Sequence, residues 1–300
     1  MTSVTARQFD QRPAFVTRWF RLAAICGVML LLASCSTVTG YFSDDDIKKP
    51  PVKKSVVVDD KDSVGRLYNK AIGEMRDGNY TKAAKGFEEV ERQYPYSAWA
   101  RRAILMSAYS RYQVNNYDAA IVSARRFIQL HPGNKDAAYA YYLVGLSYYE
   151  QITDVGRDQG LTKKALDAMT EVTRRFPDSK YAADAARKIV LAKDHLAGKE
   201  MKIGRYYLRR QSYIAAINRF RTVITKYQTT SHTPEALERL TEAYYALGIL
   251  SEAQTAAAVL GHNWPQSQWY RDAFALLKSG GLEPRENKQS WISKAWKSVF

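Results

Sequence analysis

Cysteine is nearly absent from this 300-residue chain: Cys26 and Cys35 are the only two, and none follows residue 35. Beyond that point neither a disulfide framework nor a thiolate metal site can form, so any fold there rests on core packing alone. Long apolar runs are missing as well. The stretch Leu22 to Ala33 has 12 residues, against the roughly 20 that a membrane-spanning helix needs. Histidine is scarce. His131, His195, His232 and His262 are scattered, and none has a second histidine, a cysteine or a carboxylate at ligand spacing, so no metal site is expected. No glycine-rich phosphate loop, nucleophile elbow or zinc-protease helix motif is present. Glu150, Asp154 and Asp158 cluster in sequence, but a solvated, charged loop accounts for them better than paired acid catalysis. A protein without catalytic apparatus is expected, with no cofactor.

Both cysteines fall in the first 35 residues for a reason. Arg7, Arg12, Arg18 and Arg21 precede the apolar run, and small residues end it. A basic lead, a short apolar segment and a small-residue cut point describe a secretory signal, although a lead of 21 residues is long for one. Leu32-Ala33-Ser34-Cys35 resembles a bacterial lipobox. That resemblance implies cleavage after Ser34 and a diacylglycerol thioether on the Cys35 sulfur, followed by N-acylation. Several acyl chains on one residue give stable anchoring where one would be marginal. Ser36 stands where an inner-membrane retention signal carries aspartate, which favours the outer membrane. Cys26 leaves with the signal (residues 1–34), and the mature chain then holds no free thiol.

The mature chain has 41 basic and 29 acidic side chains, a net charge of +12. Export excludes most nucleic-acid roles and no nucleic-acid-binding signature is present, which leaves a membrane surface or acidic partners. Residues 35–61 carry short charge blocks around Pro50-Pro51 without helical or strand period, and read as a lipidated flexible tether. As a random coil it reaches about 28 Å.

From residue 62 the chain repeats itself. NYTKAAKGF, NYDAAIVSA, LTKKALDAM, SYIAAINRF and ILSEAQTAA align on Ala83, Ala120, Ala165, Ala216 and Ala253. Tyr80, Tyr117, Thr162, Tyr213 and Leu250 lie three before these alanines. Phe87, Ala124, Met169, Phe220 and Ala257 lie four after them. Such spacing puts all three sets on one helix face, with a small residue where a neighbouring helix must approach closely. Tyr94-Pro95, His131-Pro132, Phe176-Pro177 and Trp264-Pro265 stop these helices. Ser97, Asn134, Ser179 and Ser267 are placed to cap the next ones, and Thr233-Pro234 opens a helix in the fourth interval. The partner helices are expected over 62–77, 98–114, 135–150, 180–210 and 234–247, with a last helix near 267–278 as cap.

The alanine spacings are 37, 45, 51 and 37 residues. The second implies an inserted loop, Gln151–Gly160, and the third an overlong helix broken at Gly198 or Gly204. Helix-pair repeats of this kind resemble tetratricopeptide repeats. The expected fold is therefore all-α: a right-handed solenoid of about five helix pairs over 62–280 with a C-terminal capping helix. A basic amphipathic tail follows over 281–300.

Three features could bind partners. Tyrosines come in pairs (Tyr141-Tyr142, Tyr148-Tyr149, Tyr206-Tyr207, Tyr244-Tyr245), read either as a wide core face or as an aromatic groove. Between Ala197 and Tyr227 stand Lys199, Lys202, Arg205, Arg209, Arg210, Arg219, Arg221 and Lys226 against Glu200 alone. This is either a solvated face or a surface for acidic partners or anionic head groups. In WISKAWKSVF the residues Trp291, Ile292, Ala295, Trp296, Val299 and Phe300 share a face, which reads as a docking or interfacial helix, or as one folded back on the solenoid.

The lipobox, the tether and the strings DGNYTKAAKGFEEVERQYPYS, YDAAIVSARRFIQLHPGNKDAAYAYYLVGLSYY and RRFPDSKYAADAARKIV together resemble the BamD family of outer-membrane assembly lipoproteins. The resemblance runs from about residue 62 to 265; the third-pair insertion and the tryptophan-rich tail depart from it. It implies a scaffold on the periplasmic face of the outer membrane. Its partners would be a BamA-like β-barrel subunit, other assembly-machinery lipoproteins and unfolded β-barrel proteins, with no nucleic acid. It also implies substrate recognition at Tyr94 and partner coupling at Arg219, with Arg205, Arg209 and Arg210 in the same basic stretch. A competing reading is another repeat-bearing envelope lipoprotein, serving cell-wall synthesis or division.

Overall fold

The computed structural model describes residues 47–50 and 63–297, and the chain separates into two compact units, Met1–Lys49 and Pro50–Phe300. Twelve helices are described in the second unit. They form five antiparallel pairs: α1 (Ser63–Arg76) with α2 (Tyr80–Gln93), α3 (Ala98–Gln113) with α4 (Tyr117–Leu130), α5 (Ala137–Tyr149) with α6 (Gly160–Arg175), α7 (Ala182–Arg209) with α8 (Tyr213–Lys226), and α9 (Thr233–Ala246) with α10 (Leu250–Asn263). Then come α11 (Gln268–Ser279) and a short α12 (Trp291–Lys297).

The repeat register explains the packing. Ala83, Ala120, Ala165, Ala216 and Ala253 are all fully buried, as are the residues seven further on: Val90, Phe127, Val172, Val223 and Leu260. Alanine at the crossing point brings the paired helices close, and the larger side chains fill the space beside it. Each tight turn reverses through a left-handed residue five before the alanine: Gly78, Asn115, Gln211 and Gly248, with φ of 58–78°. Glycine and asparagine adopt that conformation readily, glutamine less so.

First helices of neighbouring pairs touch one another (α1–α3, α3–α5, α5–α7, α7–α9), whereas each second helix packs on the first helices flanking it. The first helices therefore line one face of the solenoid, and on the opposite face the second helices splay apart and leave grooves between them. Among the described residues, no helix is long and apolar enough to cross a membrane.

Several expectations need correction. Ser97 and Ser267 do cap, accepting from Ala100 N at 3.0 Å and Tyr270 N at 3.1 Å. Asn134 and Ser179 do not. There a backbone turn comes first, with Ala137 N donating to Asn134 O and Ala182 N to Ser179 O, so the helices begin later. At α9 the N-cap is His232, and the Thr233 hydroxyl instead donates to Gln228 O at 2.9 Å. The long helix α7 is unbroken at Gly198 and Gly204. Gly204 is needed for approach, not bending: a Cβ there would stand 2.4 Å from the Phe220 ring.

The inserted loop after α5 lies as expected, held by Lys199 Nζ donating to Gly156 O at 2.6 Å and by the buried Gln159 amide. The tail folds back. Ile292 is fully buried, Trp296 packs edge-on against Trp264 at 5.4 Å, and Ser290 Oγ donates to Glu252 at 2.6 Å. Its apolar face is thus covered by α8–α10, which explains why a basic amphipathic helix need not be interfacial. Val299 and Phe300 lie outside the described residues, as do Cys35 and the rest of the signal and lipobox.

Candidate partner-binding sites

Tyr94 stands at the C-cap of α2, half-buried, with backbone angles φ −132° and ψ 57°. His131, Phe176, Tyr227 and Trp264 occupy the same cap with nearly the same angles. The aromatic ring is therefore a repeated structural requirement, closing the end of each pair. Particular to Tyr94 is the contact of its hydroxyl with Ser63 Oγ in the first turn of α1, at 2.7 Å. Beside it, Tyr96 is fully exposed. Tyr94 therefore packs the end of the first pair, at the N-terminal end of the solenoid.

The basic stretch divides into three places. Arg205 makes a two-pronged contact with Glu235 of α9 at 2.8 and 2.9 Å, and Arg219 of α8 reaches Glu200 of α7 at 3.2 Å. Both arginines stay about 40% exposed (37% and 42%), so each ion pair adds at most about 1 kcal/mol to stability. Arg209 and Arg210 stand exposed at the α7–α8 turn, where the Arg210 guanidinium lies 4.6 Å over the Tyr206 ring. Arg221 is turned to the tail, 4.8 Å over the Trp291 indole.

Sequence reasoning missed the apolar edge next to the second of these places. Tyr206, Ile214, Leu247, Ile249 and Leu250 are exposed, and Gln211, Tyr213, Ile214, Asn218 and Leu247 line a shallow pocket of about 500 Å³. A signal was present. Ile249 fills the N-cap position that Asn79, Asn116 and Ser212 hold in other pairs, and Leu250 replaces a tyrosine. None of those three polar residues caps through its side chain, and Ile249 puts an exposed aliphatic group where they stand. Arginine and tyrosine beside an exposed aliphatic edge is the composition of protein-binding hot spots.

The tyrosine pairs resolve residue by residue. Tyr142 is fully buried, its hydroxyl donating to Asp184 Oδ2 at 2.6 Å. Burial pushes the Asp184 carboxyl up, but hydrogen bonds from Tyr142 and Lys188 outweigh it and hold the group below its usual range. Tyr148 and Tyr244 are nearly buried, whereas Tyr141, Tyr149, Tyr206 and Tyr245 are more exposed.

A family model described as outer membrane lipoprotein matches residues 60–260. The outer membrane protein assembly factor BamD of Caulobacter vibrioides is 50% identical over 232 residues, 77% of this chain and 76% of that one. The chain belongs to the BamD family. BamD of Rickettsia prowazekii is 47% identical over 216 residues, covering 72% of this chain and 86% of its own. BamD of a Neisseria meningitidis serogroup A strain is 37% identical over 222 residues, covering 71% and 83%. The matched family model spans α1 through most of α10, so it includes Tyr94 and the whole basic stretch. The helices α11 and α12 lie beyond it.

Proposed function

We propose that this protein is a non-enzymatic scaffold for inserting β-barrel proteins into the outer membrane. It would be held at the periplasmic face by acyl chains on Cys35, with no other cofactor. It would dock on a BamA-like β-barrel subunit through the edge of the fourth and fifth pairs, near other assembly lipoproteins. In this reading Arg209 and Arg210 supply the charge, Ile214 and Leu247 the apolar contact, and Arg219 and Arg205 the ion pairs at its border. Unfolded β-barrel substrates would be received near Tyr94. The observation that carries the docking part is the exposed basic and aliphatic edge beside Tyr206.

The test is affinity purification of the membrane-extracted protein carrying Arg219→Glu or Ile214→Asp. Each should reduce recovery of the β-barrel subunit while thermal stability stays near that of the parent. Recovery unchanged by both would refute the assignment of this edge. Recovery of cell-wall synthases alone would refute the assembly role. Cys35→Ala should leave the protein in the soluble fraction.

A further inference from the structure

Of the four grooves between neighbouring second helices, α2–α4, α4–α6 and α8–α10 are in three different states at equivalent positions of the repeat register. The wall residue five after the repeat alanine is Glu88 on α2, Arg125 on α4 and Arg221 on α8. The floor residue is Arg111, Tyr148 and Tyr244. Arg111 and Tyr244 each accept, through the backbone carbonyl, from the N–H five residues on (Asn116 and Ile249). Tyr148 follows Arg111 by 37 residues, the same step that separates Pro95 from Pro132. The opposite wall carries Val122, Asp167 and Thr255, each two after its alanine.

The α8–α10 groove is filled by the chain's own tail, and the contacts fall at these three positions. Trp291 Nε1 donates to Tyr244 Oη at 2.9 Å, Arg221 lies over the indole, and Asn287 N donates to Thr255 Oγ1 at 3.1 Å. The α2–α4 groove, about 580 Å³, is spanned by ion pairs, Arg111 with Glu88 and Arg126 with Glu91. The α4–α6 groove is open, about 400 Å³, and lined by Arg125, Tyr141, Val144, Tyr148, Lys164 and Asp167. Here Arg125 rests on the floor tyrosine, donating to Tyr148 Oη at 3.3 Å with its guanidinium 5.9 Å from the ring centroid. It holds the position from which Arg221 grips a tryptophan.

We propose that the α4–α6 groove binds a short amphipathic helix of a partner polypeptide that carries a tryptophan, with a lysine or arginine facing Asp167. The indole seats against Tyr148 and donates its N–H to the hydroxyl, and Arg125 moves from the tyrosine ring onto the indole, as Arg221 does in the filled groove. The basic residue follows from one change of chemistry between the two grooves: a carboxylate, Asp167, stands where Thr255 accepts from the tail. A second change is Lys164, 5.7 Å over the Tyr148 ring, where Glu252 accepts from the tail's Ser290, so the partner presents an acceptor at that point. A partner matched to Tyr148 and Asp167 would be rejected by the α2–α4 groove, where Arg111 and Val122 stand instead.

The probe is a fluorescent peptide of residues 284–300 with Asn287→Lys, titrated into the full mature protein in detergent with its own tail in place. Saturable one-to-one binding is expected. Tyr148→Phe should weaken it about three- to tenfold, the loss of one hydrogen bond, with melting unchanged. Tyr244→Phe should leave it alone, and a peptide with Trp291→Leu should bind at least about tenfold more weakly. The proposal is overturned by an absence of saturable binding, by equal binding of the leucine peptide, or by dependence on Tyr244 and not Tyr148. A dimer of the unmodified protein that dissolves with Trp291→Ala would give the groove to a second copy and also overturn it.

Discussion

The indole N–H of Trp291 points at the hydroxyl of Tyr244 across 2.9 Å, joining residues 47 apart in sequence and fixing the last helix to the fifth repeat. Burial pushes the Tyr244 hydroxyl up, so it remains a neutral acceptor and donor at any physiological pH. Beyond this bond, α12 is held by Ile292, Trp296 and the hydrogen bonds of Ser290 and Asn287.

Trp291→Ala removes the bond, the Arg221 contact and part of the buried face at once. A seven-residue helix has almost no stability of its own. The expected outcome is local: amide exchange in residues 291–297 speeds by two orders of magnitude or more, on the order of the 3 kcal/mol carried by such a ring. Protection in α3 to α6 should stay unchanged, because no described contact reaches them from the tail. Hydrogen exchange read by mass spectrometry separates this from global destabilisation, in which all helices would lose protection together.

Gly204 and Gly73 predict opposite signs for the same substitution. Both lie inside helices. A Cβ at Gly204 meets the Phe220 ring at 2.4 Å, and Phe220 is fully buried, so Gly204→Ala should cost about 1–3 kcal/mol. At Gly73 nothing stands within 4 Å, so Gly73→Ala should gain about 0.5–1 kcal/mol from helix propensity. Paired denaturant titrations decide it, and a gain at Gly204 would show that the Phe220 ring gives way to the added methyl.

The sequence made the repeats legible because their causes are local. An alanine at the crossing, a left-handed turn residue five before it and a proline after the terminal aromatic each act within a few residues, and the helix bounds fall within about two residues of the expected ones. What it hid depends on which helices meet. The basic stretch reads as eight cations against Glu200 alone, because Arg205 finds its partner Glu235 on α9 of the next pair, while Arg219 meets Glu200 across the fourth pair. The tail's two readings could not be separated, since an amphipathic face is equally suited to a membrane and to a groove; the acceptor on Tyr244 decides between them. Ile249 at an N-cap was the one local irregularity that marked the exposed edge, and it is visible only once the repeats are aligned.

Glu238 supplies the pH dependence. Its side chain is buried on α9, and burial is the main cause that pushes its carboxyl up to about 7; Arg239, with Nε at 3.2 Å, pulls it down, and Glu242, Asp272 and Glu235 push it up. Asp272 belongs to α11 and the other three to α9, so the group sits where the cap helix joins the last pair. The unfolded carboxyl titrates near its ordinary value of 4.5. Below that pH both states are protonated and the fold carries no penalty. Between 4.5 and about 7 the unfolded chain releases its proton while the folded one keeps it, so stability falls as pH rises; above 7 the loss is complete and constant. The full difference is about 3 kcal/mol, an upper value given the neighbouring arginine. Glu238→Gln keeps the shape and removes the titration. Its melting temperature should vary less than the parent's between pH 4.5 and 7 and should exceed the parent's at pH 8. Parallel curves for the two proteins across that range would show that Glu238 is ionised in the folded state throughout.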